Sequence, residues 1–158
     1  MTNIEKALEL EKKAGTSEQI LEMINLFLKG VEDDENSLLA LWKLGQYYML
    51  MGAAHAQNKS AKKKYYKFSM EYCEKAMMLN LEFKKAINSG SQVWESTGLL
   101  GKEYVDAMGF WYTVRCYYFK ECLSVLGRLF NVKMMVNNEP VIARIDELNP
   151  AWEGGGNN

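Results

Sequence analysis

Apolar residues recur along this chain three and four positions apart, and no stretch alternates in the manner of a half-buried strand. The pattern predicts a first helix over Asn3 to Ala14, with Ile4, Ala7 and Leu8 on one face and Gly15 closing it. Ser17 is placed to cap a second helix that carries Ile20, Leu21, Ile24, Phe27, Leu28 and Val31. The acidic run Glu32 to Glu35, followed by Asn36, reads as a solvated turn. Ser37 then caps a third helix from Leu38 to about Gln57, with Leu41, Leu44, Gly45 and Tyr48 at helical spacing. The polar, basic stretch Asn58 to Lys64 reads as the solvated first turn or outer face of a fourth helix. That helix continues through Tyr65, Tyr66, Phe68, Tyr72, Cys73 and Ala76 to Leu79, and Asn80 ends it. Two short helices follow, one ending at Gly90 and one near Gly98. A last helix starts at Asn138-Glu139-Pro140, carries Val141, Ile142, Ile145 and Leu148, and stops at Asn149-Pro150.

The stretch from Tyr104 to Phe130 dominates the pattern. Six aromatics fall within Phe110 to Phe119, no Pro interrupts it, and its apolar positions cover nearly every side of a helical wheel. A helix that is apolar all round is buried or spans a membrane. Asp106, Arg115, Lys120, Glu121 and Arg128 are spaced through it, too many charges for a span of about 20 mainly apolar residues. It is expected to be one central helix with neighbours on several faces, bent or stopped near Gly127. Its rings then either fill a core or line a cavity. The whole reads as an all-α fold of seven to nine helices. One helical domain is expected over 1–153, and 154–158 reads as a glycine-rich flexible tail.

Composition narrows the function classes. A chain of 158 residues suits one domain and can bury about 70% of its unfolded surface without a metal or disulfide staple. The net charge of −1 argues against a nucleic-acid partner, which calls for a basic surplus on one face. Three cysteines, Cys73, Cys116 and Cys122, cannot all pair, and they read as small buried thiols. With a single histidine, His55, a multi-His metal site is impossible. There is no phosphate-cradling GxxxxGK loop, no GxGxxG and no CxxC. Neither catalysis nor a cofactor is expected. The ten methionines suit gap-filling in a core or an adaptable binding surface.

Ligand sites are apolar with a few polar groups that fix orientation. Trp111, Tyr112, Arg115 and Tyr118 give that mixture within about two helical turns, and Tyr48 joins them as a candidate from the third helix. Arg115 could hold a carboxylate head while rings contact a tail. In the alternative, Arg115 pairs with an internal acid such as Asp106 or Glu121, and the rings are ordinary core.

Leu44, Gly45 and Tyr48 fit the first helix of a tetratricopeptide repeat, and Lys75, Ala76, Leu79 and Asn80 fit the end of its second. The two halves stand roughly twelve residues further apart than the 34-residue unit allows, so the helices are lengthened. In order and spacing the chain resembles the T-component (TatT-type) proteins of tripartite ATP-independent periplasmic, or TRAP, transporters, over roughly Leu38 to Gly156. The matching parts include Tyr72 to Asn80, Gly101 to Ala107, Phe110-Trp111-Tyr112, and Leu148-Asn149-Pro150-Ala151-Trp152 running into Gly154 to Gly156. The resemblance implies a non-enzymatic, tetratricopeptide-like array that binds a TRAP-type periplasmic solute-binding protein. It also implies a homotrimer enclosing a tunnel for an apolar or amphiphilic ligand. The location implied is the periplasm, with a lipid anchor in full-length form whose signal this chain does not carry. The alternative is a generic tetratricopeptide adaptor that takes a protein or peptide tail, for which Lys59 to Lys67 supply a basic surface.

Overall fold

The computed structural model describes residues 1–152, and the glycine-rich tail expected at 154–158 lies outside them. The described residues are mostly helical and contain no strand. The helices are α1 (Asn3–Glu11), α2 (Ser17–Asp33), α3 (Leu38–Leu50), α4 (Lys59–Met77), α5 (Leu81–Asn88) and α6 (Val93–Ser96). After them come α7 (Val105–Cys122), α8 (Val125–Phe130), α9 (Lys133–Val136) and α10 (Glu139–Leu148). A π-turn over Met51–His55 follows α3, and 3-10 turns at Thr97–Leu99 and Lys102–Tyr104 lead into α7. Among the described residues no helix is long and apolar enough to cross a membrane.

Side-chain caps set most of the starts. Ser37 accepts the Ala40 N–H, and Asn58 accepts the Ala61 N–H, so the basic segment is the first turn of α4. Several boundaries differ from the sequence reading. α1 stops at Glu11, because the Gln19 carboxamide takes the N–H groups of Gly15 and Thr16. Thr16, not Ser17, is the N-cap of α2, in a capping box with Gln19. Asn80 ends nothing by itself; its side chain caps α5 through the Phe83 N–H. The only left-handed glycine among the described residues is Gly90, which closes α5.

The largest difference is at the end of the central helix. α7 ends at Cys122, well short of Phe130 and ahead of Gly127. Leu123 turns extended, and the Ser124 hydroxyl accepts the Gly127 N–H to start α8 as a new helix. Arg128 folds back to donate to the Lys120 carbonyl, one of the orphan acceptors left at the end of α7.

The contacts fix the directions of the helices. Gly45 meets Cys73 and Ser69, Tyr48 stacks on Tyr72, and Gly52 meets Tyr66. Rising numbers on α3 thus meet falling numbers on α4, so the pair is antiparallel. The same test holds for α4 and α7, where Glu74 meets Trp111 and Lys62 and Tyr66 meet Glu121. It holds again between α7 and the later segment from Asn138 to Trp152, where Arg115 meets Asn138 and Asp106 meets Trp152. Asn3 at the start of α1 donates to Asp33 at the end of α2. α1 is tied onto α3 by Glu11, which accepts from both Lys43 and Tyr47.

Two apolar cores result. One lies under α1 to α3 and holds Ile20, Met23, Ile24, Phe27, Leu44 and Met51. The other surrounds the first half of α7 and holds Met77, Phe83, Met108, Phe110, Trp111, Val141 and Ile145. A small third cluster, Tyr66, Val114 and Cys122, fills the space between α4 and the end of α7. α8 and α9 contribute no buried residue to any of them.

Candidate functional site

The most polar buried arrangement sits where α4, α7 and the α9–α10 junction meet. Trp111 and Arg115 are one turn apart on α7 and share a face. The Trp111 ring is 1% exposed, and its indole N–H donates to Glu74 Oε1 at 3.0 Å. The Arg115 guanidinium lies 4.4 Å from the Trp111 ring centre and 5.6 Å from that of Trp94. Its Nε donates to Asn138 Oδ1 at 2.9 Å, and its Nη2 donates to the Met134 carbonyl at 3.1 Å. Asn138 is itself buried, and its Nδ2 reaches the Tyr112 carbonyl at 3.3 Å.

Burial dominates the electrostatics of this cluster. It pushes the Glu74 carboxyl above its ordinary range, and the Trp111 N–H and the Arg115 charge pull partway back. Burial likewise lowers the hold of Arg115 on its proton, with Glu74 opposing. Neither internal acid suggested by the sequence is the partner of Arg115. Asp106 accepts from the Trp152 indole at 3.1 Å, and Glu121 is taken by Lys62 and Tyr66. The reason is register: Asp106 and Glu121 lie more than one helical turn from Arg115 along α7, and each is engaged by a residue of another element.

Beside Glu74 a groove of about 220 Å³ opens between α4, α5 and α6. Met78, Phe83, Ile87 and Val93 give it apolar walls, and Glu71, Glu74 and Lys75 line it as charged groups. Such a groove suits an apolar group that carries a hydrogen-bond donor for the carboxylate.

The sequence candidates fall in four places. Trp111 and Arg115 form the cluster just described. Tyr112 faces the other way, edge-on to Trp152 with ring centres 6.1 Å apart. Tyr118 packs in the small cluster with Tyr66 and Cys122. Tyr48 belongs to a separate aromatic group on α3 and α4 with Tyr65, Phe68 and Tyr72, where burial pushes its hydroxyl up to about 12. Glu74, Trp94 and Asn138 were missed from the sequence. Glu74 carried a signal: an acid with Met70 one turn before it and Met77 and Met78 one turn after it.

A second depression, of about 430 Å³, lies along α4 and is lined by Ser60, Lys63, Lys64, Lys67, Phe68 and Glu71. Among the described residues no group of three or more His, Cys, Asp or Glu is arranged to hold a metal. Comparison with protein-family models, curated proteins and solved structures finds no match to this chain.

Proposed function

We propose that this chain is a non-enzymatic, tetratricopeptide-like binding and assembly protein, an accessory component of a TRAP-type transport system. Its protein partner in this reading is a periplasmic solute receptor, and its own assembly is a trimer in the full-length protein. The support for the transport assignment is the order of motifs from Leu44-Gly45 to Leu148-Asn149-Pro150-Ala151-Trp152. The support for a binding role is the apolar groove beside Glu74, backed by the Trp111–Arg115–Asn138 network. Buried hydrogen bonds on Trp111, Arg115 and Asn138 hold the wall in one geometry before anything binds, which lowers the ordering cost of binding. An apolar or amphiphilic ligand, or an apolar side chain of the receptor, is the occupant this wall favours.

A second reading has its own observation. Lys63, Lys64 and Lys67 line one open depression, as a tetratricopeptide adaptor for an acidic peptide tail would require. Affinity capture separates the two. The purified chain is incubated with periplasmic extract of its native host, and the retained proteins are identified by mass spectrometry. Recovery of a TRAP-type solute receptor, lost on Ile87→Glu at the half-buried rim of the groove, supports the first reading. Recovery of a peptide-tailed partner without any solute receptor, lost on Lys63→Glu/Lys67→Glu, replaces it with the second.

A further inference from the structure

α8 and α9 present an apolar strip to solvent. Val125, Leu126, Leu129 and Phe130 occupy adjoining positions of α8, and Val132 and Val136 follow one turn apart across α9. These six side chains are between 51% and 79% exposed. Together they expose roughly several hundred Å² of contiguous apolar surface, the size at which such patches mark interaction sites. A core role is ruled out by their exposure, and five branched aliphatics and a phenylalanine stand at positions where polar residues would serve a bare surface better.

The charges around the strip decide what covers it. From Cys122 to Asn138 the only charged residues are Arg128 and Lys133, both basic. Lys120 lies just before the strip on α7. The basic first turns of α4 are brought to the same end of the molecule, since Lys62 pairs with Glu121 at 2.7 Å and Lys59, Lys62 and Lys63 act on Cys122. Glu121, already paired, and Glu139 at the start of α10 are the acids that flank the strip. The acidic run Glu32 to Glu35 lies at the other end of α3, roughly 20 Å away by helix length. The chain has a net charge of −1, yet its apolar end is locally basic.

We propose that the α8–α9 strip docks the protein onto an anionic lipid bilayer, with Leu126, Leu129 and Phe130 in the interface and Lys120, Arg128 and Lys133 against lipid phosphates. Apolar residues on one face with lysine and arginine beside them are the composition of helices that lie in the bilayer interface. Each basic residue near an anionic surface adds attraction that a neutral surface does not supply. A second copy fits less well. The charges within the strip, Arg128 and Lys133, are both basic, so two strips facing each other bring no acid of their own to pair with them. The inference does not depend on the transport reading and would place the chain on a membrane surface whatever its protein partner.

Flotation of the full chain with vesicles tests it. One set is pure phosphatidylcholine, and the other contains about one-third phosphatidylglycerol. The chain is expected to float with the anionic vesicles and to stay behind with the neutral ones. Leu129→Glu/Phe130→Glu should reduce flotation about tenfold or more. Lys120→Gln and Lys133→Gln should each reduce it about fivefold. These side chains are exposed, so the variants keep the wild-type melting temperature and circular dichroism. Three results overturn the proposal: no flotation with either vesicle, equal flotation with both, or flotation that the double Glu variant leaves intact. Concentration-dependent self-association abolished by the double variant, without vesicle binding, would assign the strip to a second copy instead.

Discussion

The indole of Trp152 occupies the space that a side chain at Gly109 would need. A Cβ built on Gly109 would overlap the six-membered ring of Trp152. The ring is held there by its N–H on Asp106 and by edge contacts with Phe110 and Tyr112. The glycine in the middle of the aromatic helix is therefore a docking notch for the segment after α10. Gly109→Ala is expected to lower stability by about 1–3 kcal/mol, as overpacking of a filled site does. The check is a double-mutant cycle with Trp152→Ala. Once the ring is gone, the added methyl should cost nothing further, and two additive losses would show that the notch does not serve Trp152.

The same logic applies where α3 crosses α4. A Cβ at Gly45 would run into the Cys73 sulfur, with the Ser69 carbonyl 3.4 Å away on the other side. Ser69 also donates its hydroxyl to the Gly45 carbonyl at 2.6 Å, so the two backbones are locked at this distance. Gly45→Ala should cost about 1–3 kcal/mol in chemical denaturation. Adding Cys73→Ala should recover part of that loss, because the methyl then has room. A Gly45→Ala protein as stable as wild type would mean that α4 moves away freely.

Glu74 gives a pH-dependent expectation. Its carboxyl is raised by burial, so the folded protein keeps this proton to higher pH than the unfolded chain does. From the ordinary carboxyl value of about 4.3 up to the raised folded value, the folded state binds more protons. Stability contributed by this group therefore falls as pH rises through that window. Gln at this position still accepts from Trp111 and never ionises. Glu74→Gln should flatten the decline in melting temperature and leave the protein more stable than wild type at pH 7. It also removes the attraction Glu74 exerts on Arg115, so the gain is smaller than the whole cost of burying the carboxylate. A variant less stable at pH 7 would show that this attraction outweighs the burial.

The helices were legible in the sequence wherever a single local signal decides the matter. Ser37 before an apolar run and Pro140 in a first turn both mark real starts. The end of α7 was not legible. Leu123 and Ser124 continue an apolar, helix-compatible stretch, and the break there depends on the Ser124 hydroxyl turning back to Gly127 and on Arg128 reaching Lys120. Gly127 drew attention as the visible breaker, although it sits within α8. The site was half legible for a related reason. Spacing on one helix put Trp111 and Arg115 together, but the partners Glu74 and Asn138 come from other elements. Only the register of α4 and α10 against α7 brings those side chains in, and helical periodicity carries no information about it. Tyr48 and Tyr118 were drawn in by being aromatic, and each proves to belong to a different cluster.

Arg115 separates a structural wall from a direct ligand contact. Arg115→Ala would strip the donors from Asn138 Oδ1 and the Met134 carbonyl and remove the cation stacked on Trp111. Buried acceptors left without donors cost about 1–3 kcal/mol, and loss of the stacked cation adds about 0.5–2 kcal/mol. The expected destabilisation is therefore about 1.5–5 kcal/mol, a drop of several degrees or more in melting temperature for a domain of this size. Arg115→Lys keeps the charge but lacks the planar fork that serves two acceptors at once, so it should recover less than half of that loss. If Arg115 acts by fixing the wall, partner or ligand affinity should fall in step with stability and return with it when a stabilising substitution elsewhere restores the melting temperature. An affinity loss that persists at restored stability would instead place the guanidinium in direct contact with what binds.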